Sequence, residues 1–130
     1  MPLDADVVRL AKGKNLATVV TLMPDGQPQA LLTWVDTDGE HVLVNTVEGF
    51  QKVRNMRRDP RVALNIADPS NPFRYFRVRG RVIDITPEGG ADHIDLVAKR
   101  YTGKPYAWYG GRDQVRLIVT IAAEDVSGMG

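Results

Sequence analysis

A mainly β fold is predicted, a mostly antiparallel sheet curled into a small barrel with short helices over its ends. Three observations predict it. Six segments carry the alternating or β-branched pattern of strands, hairpin-sized turns join most of them, and no strand–helix–strand rhythm runs through the chain to suggest a doubly wound parallel sheet. At 130 residues the chain is expected to form a single domain over 1–130, large enough to bury roughly two-thirds of its unfolded surface.

Taken in order, Leu3 to Lys12 places Leu3, Val7, Leu10 and Ala11 at helical spacing and stops at Gly13, which predicts a short amphipathic helix. Leu16 to Leu22 reads as a strand. Pro24-Asp25-Gly26 is a strong turn signal, and Gln29 to Asp36 follows as the hairpin partner. Asp38-Gly39 turns the chain into a third strand, His41 to Thr46, so three meandering strands are expected before the next helix. That helix starts near Gln51 and must end by Asp59, because Pro60 disfavours helical geometry in the residue before it. Strands Arg61 to Ala67 and Phe73 to Ile85 come next, across a turn at 68–72. Thr86-Pro87 looks like an N-cap with proline at the first helical position, and Ile94, Val97, Ala98 and Tyr101 form the helix's apolar stripe. A loop at 102–113 is dense in glycine and aromatics. Val115 to Ile121 is the sixth strand, with Val115, Leu117, Val119 and Ile121 alternating.

Composition excludes several kinds of chemistry. A net charge of +1 gives no global attraction to nucleic acid or membrane, so any basic site must be local. There is no cysteine, which removes disulfides, thiolate nucleophiles and cysteine metal sites, and suits a cytoplasmic protein. The N-terminal residues lack the basic start and apolar core of a signal peptide, and no apolar run is long enough to span a bilayer. His41 and His93 are the only histidines, too isolated for a metal centre. Ser70 and Ser127 sit in a turn and a tail rather than a nucleophile elbow. The neighbouring carboxylates Asp4/Asp6, Asp36/Asp38 and Glu124/Asp125 read as caps and turns, and no phosphate-binding glycine loop occurs. No residue is singled out as catalytic. An enzyme of this composition would leave its hard chemistry to a cofactor.

Two stretches stand out. Between Val47 and Val62 lie Lys52, Arg54, Arg57, Arg58 and Arg61, on or beside a helix whose first turn, with Gln51 and Lys52, has free N–H groups to cradle an anion. A solvated basic face accounts for the same charges. In the strand from Phe73, alternation puts Phe76, Val78 and Val82 on one side and Tyr75, Arg77, Arg79 and Arg81 on the other. That cationic face suits solvent, a single-stranded nucleic acid, a subunit partner or an anionic ligand.

The ordered set PDGQPQ, VNT, QKVRNMRRDPRVAL, FRYFRVRGRV and HIDLVAKRYTGKPY resembles the deazaflavin-dependent branch of the pyridoxamine 5′-phosphate oxidase-like split β-barrel superfamily over nearly the whole chain. The resemblance implies a six-stranded antiparallel split β-barrel that dimerises with itself and lines each cofactor site from both subunits. It implies a phosphate held by Asn45, Thr46, Gln51 and Lys52, and a ring lying along Leu32, Thr33 and Trp34; Trp34 could equally be a core residue. The flavin-using oxidases often have Arg-Lys where this chain has Gln51-Lys52, so one phosphate charge expected for flavin mononucleotide (FMN) is missing. Coenzyme F420, a deazaflavin with an oligoglutamate tail, needs further cations, for which Arg54, Arg57 and Arg58 are available, with Asn55 in the same helix; Arg57 or Arg58 could instead pair with a carboxylate such as Asp59 across the dimer. Tyr75 and Trp108, with Phe73 and Tyr109, would close the pocket from the other subunit. The activity implied is hydride transfer between reduced F420 and a conjugated acceptor: a quinone, a biliverdin-like tetrapyrrole or a xenobiotic enone. The alternatives are an FMN enzyme on the same barrel and a non-catalytic cofactor or nucleic-acid binder. Neither nucleic acid nor membrane is the expected partner.

Overall fold

The computed structural model describes residues 3–129. The order is α1 (Ala5–Lys12), β1 (Leu16–Leu22), β2 (Pro28–Trp34), β3 (Asp36–Thr37), β4 (Val42–Val47), α2 (Gln51–Arg58), β5 (Arg61–Asp68), β6 (Asn71–Thr86), α3 (Gly90–Thr102) and β7 (Arg116–Met129). Met1, Pro2 and Gly130, which the single-domain reading over 1–130 includes, lie outside the described residues.

The strands form one antiparallel sheet in the order β2-β1-β5-β6-β7-β4-β3. The mainly β, curled antiparallel architecture is as predicted, with seven strands among the described residues instead of six. The additional strand comes from a bend. The segment expected as one strand, Gln29 to Asp36, pairs with β1 as far as Trp34↔Leu16, then pairs with β4 from Asp36↔Leu43. Val35, only 1% exposed, is the corner between them. The chain therefore leaves one edge of the sheet and rejoins the other, closing the curl. For the same reason the expected three-strand meander is corrected: β4 has β3 and β7 as neighbours, not β2.

Period-two alternation fixes which face is core. In β1, Ala17, Val19 and Thr21 are buried while the residues between them are half-buried. They meet Val62, Leu64 and Ile66 of β5, Val78 of β6, Val42 and Val44 of β4, and Leu117, Val119 and Ile121 of β7. Each fully buried Leu, Ile or Val contributes about 1.5–3 kcal/mol relative to exposure, so this interior row defines the register.

Several boundaries differ from expectation. α1 begins at Ala5 instead of Leu3, because the Asp4 carboxylate caps the Asp6 N–H at 2.8 Å. Thr86 is not the N-cap of α3: it is still paired with Ile118 in the sheet, and its hydroxyl accepts from the Glu88 N–H at 3.2 Å. The helix begins at Gly90, after Gly89 in the left-handed region at φ +73°. A Cβ on Gly90 would overlap the Arg116 carbonyl, so a side chain there would push α3 off β7. β7 runs on past Ile121 to Met129, as the half of β6 from Tyr75 to Arg81 supplies it with a partner. α2 stops at Arg58 as predicted, with Asp59 extended before Pro60. Among the described residues no helix is long and apolar enough to cross a membrane.

Candidate functional site

Outside the barrel wall, where α3 crosses β3, β4 and the start of β7, polar side chains converge. Asp36 is the hub. Its Oδ2 lies 2.9 Å from His93 Nε2, while Oδ1 accepts from Arg100 Nη1 at 2.9 Å and Lys12 Nζ at 3.0 Å. Burial raises the Asp36 pKa, but the hydrogen bonds from His93, Arg100 and Lys12 outweigh it and hold the carboxyl well below the usual range. On the other side of His93, Asn45 donates through Nδ2 to the Gly90 carbonyl at 2.9 Å and contacts His93 Nδ1 at 3.1 Å. Asn45 Oδ1 accepts from Arg116 Nε at 2.8 Å. The Arg116 guanidinium lies over the Tyr106 ring, 5.0 Å from its centroid.

Asp36, Asn45, His93, Tyr106 and Arg116 line a cavity of about 90 Å³ with Thr33, Trp34 and an apolar remainder that includes Leu43, Ile94 and Val97. Its size admits an anion the size of a phosphate and not a tricyclic ring, which needs several hundred Å³. Lys52, in the first turn of α2, is 9% exposed. Among the described residues neither Lys52 nor Arg116 has a carboxylate within ion-pairing distance. Burial, and secondarily the Arg116 charge, lower the Lys52 pKa, and burial lowers that of Arg116. Lys52 is therefore desolvated in the field of Arg116, whose own charge Tyr106 partly offsets, and an anion beside them would relieve that arrangement. The N-cap of α2, Phe50, makes no side-chain cap bond; the Val53 N–H donates to the Phe50 carbonyl at 3.0 Å, which leaves the N–H groups of Gln51 and Lys52 as the ones a helix start offers to an anion.

The predicted site residues divide. Thr33, Trp34 and Asn45 line the cavity, and Lys52 acts on Arg116. Asn45 and Thr46, expected together on one phosphate, are adjacent in a strand and point to opposite faces; the Thr46 hydroxyl is buried without a partner. Leu32 projects to the opposite side from Thr33 and is 65% exposed. Trp34 stacks on Tyr101 with centroids 5.0 Å apart. Gln51 is engaged along its own helix, donating to Asn55 at 2.8 Å and accepting from Arg54 at 2.6 Å. Arg54 also donates to the Gly49 carbonyl and Arg58 to the Leu22 carbonyl. Asn55, fully buried, donates to the Thr21 hydroxyl at 3.0 Å, so its amide serves the interior. Within the chain Arg57 pairs with Glu48 at 2.6 Å and Asp59 with Arg61 at 2.6 Å. Tyr75 is on the outer face of β6, and Trp108 is in the loop before β7 with Arg112 over its ring at 5.5 Å; neither lines the cavity.

Sequence reasoning missed Arg116, His93, Asp36 and Tyr106. Arg116 carried a readable signal: in β7 it is the single charge in an outward row otherwise formed by Ile118, Thr120 and Ala122. His93 carried none, as the partner that defines it, Asp36, is 57 residues away.

A family model described as pyridoxamine 5′-phosphate oxidase matches residues 3–130. The chain belongs to the pyridoxamine 5′-phosphate oxidase family. Solved structures similar to this family member include one named F420 Reductase, 29% identical with a TM-score of 0.82 over 98% of each chain. A conserved hypothetical protein, Rv2991, from Mycobacterium tuberculosis is 27% identical with a TM-score of 0.77, over 99% of this chain and 85% of that one. General Stress Protein 26 from Bacillus anthracis shares the fold at 14% identity, with a TM-score of 0.71 over 95% of this chain and 91% of that one.

Proposed function

We propose that this pyridoxamine 5′-phosphate oxidase family member is a deazaflavin-dependent oxidoreductase. The observation that carries the reading is two sheltered cations with no carboxylate partner among the described residues: Arg116, which lines a cavity of phosphate size, and Lys52, on which the Arg116 charge acts. The 29% identity to a structure named F420 Reductase supports the deazaflavin over FMN. Gln51 in place of a second cation before Lys52 supports the same choice.

Lys52, Arg116 and the open N–H groups of α2 would hold the phosphate. Thr33 and Trp34 would border the ring, and the exposed Arg54 and Arg58 would face the acidic tail. A reduced deazaflavin, when bound, supplies a hydride to a conjugated acceptor such as a quinone, tetrapyrrole or enone. The chain's own part is binding, orientation and exclusion of water. The proton would come from solvent or from a tyrosine such as Tyr109, which is 84% exposed.

The cavity holds the phosphate alone, so the ring needs a further wall, and a second copy of the chain supplies it. The outer face of β1, β2 and β5 offers the surface: Val20, Leu22, Ala30, Leu32 and Ala63 lie on it. Leu32→Asp is expected to turn a dimer into a monomer in sedimentation and to weaken cofactor binding with it; a wild-type monomer would remove the shared-site reading.

The deciding experiment is a fluorescence titration with oxidised F420 beside FMN at equal salt. Tighter F420 binding is expected. Preference for FMN would move the protein to flavin chemistry, and binding of neither would overturn the cofactor reading.

A further inference from the structure

The proton on His93 can be located from its neighbours. Asn45 cannot be turned end for end: its Nδ2 faces the Gly90 carbonyl, which only accepts, and its Oδ1 faces Arg116 Nε, which only donates. The Nδ2 therefore presents a hydrogen to His93 Nδ1 at 3.1 Å, so that ring nitrogen is an acceptor and carries no proton. The proton of the neutral ring is on Nε2, donated to Asp36 at 2.9 Å. Asn45 is thus a coupler with one end set by His93 and Gly90 and the other holding the guanidinium.

We propose that His93 is a positioning residue for the anion site, acting through Asn45 to aim Arg116 at the anion shared with Lys52, and that only its neutral, Nε2-protonated form does so. This rests on the reading of Lys52 and Arg116 as an anion site. Nothing about His93 follows from that reading alone, because its ring touches neither cation.

Protonation of His93 would bring an N–H on Nδ1 against the Asn45 amide hydrogens. Asn45 must then rotate, which sets its oxygen against the Gly90 carbonyl and its NH₂ against Arg116. The charged and titratable groups around the ring are Asp36 from β3, with Lys12 of α1 and Arg100 of α3 on that carboxylate, and Arg116 of β7 with Tyr106 beyond Asn45. A histidine acting by charge would strengthen anion binding when protonated. One acting by geometry weakens it.

Two isosteres separate the two edges of the ring. In His93→Asn the side-chain oxygen replaces the Nδ1 acceptor and the contact to Asp36 is lost. In His93→Gln the terminal NH₂ replaces the Nε2 donor to Asp36, with no acceptor for Asn45. The probe is inorganic sulfate, followed by tryptophan fluorescence or by calorimetry, because its charge is constant between about pH 5 and pH 8, where histidine titrates. His93→Gln is expected to lose about tenfold in sulfate affinity, the worth of one hydrogen bond directing a charged group, and His93→Asn to stay near wild type. Wild-type affinity should fall toward the acid end, and that dependence should vanish in His93→Asn.

The reverse ranking of the isosteres, or tighter wild-type binding at acid pH, would overturn the relay. Should sulfate binding depend on Lys52 but not on His93, the relay fails and the anion site stands. Binding indifferent to Lys52→Met defeats both. If His93→Gln does not fold, long-range ¹H–¹⁵N correlation on the wild type still decides: a proton on Nδ1 excludes the coupling.

Discussion

The arginine row of β6 and the Lys52–Arg116 pair are both concentrations of positive charge, and they are built in opposite ways. Arg79 pairs with Asp125 at 2.6 Å and Arg81 with Glu124 at 3.3 Å, across to β7, with all four side chains at least half exposed. Among the described residues Lys52 and Arg116 have no such partners, and both are sheltered from water. The row is richer in charge yet asks little of a ligand: Arg79 and Arg81 are already paired, Arg77 donates to the Ser127 hydroxyl at 2.9 Å, and all three stand in open solvent that screens them. The pair has fewer charges and stronger demand. What identifies an anion site is an unanswered charge, not an abundance of them.

The largest expected effect tests that distinction directly. Lys52→Met should weaken a phosphate-bearing cofactor by about 50-fold or more, in line with loss of a charge-assisted bond in a sheltered site. Equilibrium titration checks this, and the same variant should melt at a higher temperature. The sign follows from linkage: a lysine whose folded pKa is depressed costs stability while charged, a cost relieved only as the pH rises through the folded pKa toward the unfolded value. A drop in both affinity and melting temperature would mean that the lysine holds the fold and not a ligand.

Next in size is Asp36→Asn. Its removal strips the shared acceptor from His93, Arg100 and Lys12 at once. It should cost about 2–4 kcal/mol at neutral pH, near the lower part of the range for breaking a buried pair because Lys12 remains half exposed. The Asp36 pKa is depressed in the fold, so its contribution is present above the unfolded value and disappears as the pH falls through the folded one. Chemical denaturation across the acid range should therefore show a flatter pH dependence in the variant than in the wild type.

Smallest is the expectation for the row itself. Arg79→Met should change stability by less than about 0.5 kcal/mol, as exposed ion pairs generally do, and leave cofactor affinity in the isolated chain's cavity unaltered. A large loss of affinity there would erase the contrast between the two charge clusters and would assign the row to a ligand.

The same contrast explains which parts were legible in the sequence. Strand alternation, the turn at Pro24-Asp25-Gly26 and the stop at Pro60 are local, and β1, β5 and α2 fall where those signals put them. The bend at Val35 is not local: it exists because Asp36 finds Leu43 as a partner while Trp34 keeps Leu16. The late end of β7 likewise depends on the long reach of β6. For the site, Lys52 was visible as a basic residue at a helix start, but its lack of a counter-ion was not, and that lack is what gives it meaning. Conversely Arg57 looked available until Glu48 came beside it in the fold. Charges can be counted in a sequence; their pairing needs the third dimension.

The position of β4 between β3 and β7 has a consequence for how the molecule comes into being. Asn45 meets Arg116 across 71 residues of chain, and β4's long ladder is with the last strand. During synthesis the first four strands and α2 are complete while the partner that seals them has still to be made. Pairings this distant in sequence are entropically expensive to form and set a slow pace for folding. Until β7 emerges, β4 exposes an unpaired edge, Lys52 has no Arg116 near it, and the anion site lacks its second cation. Its assembly therefore reports completion of the barrel, and a phosphate-bearing ligand that requires both cations would bind only chains whose final strand has docked.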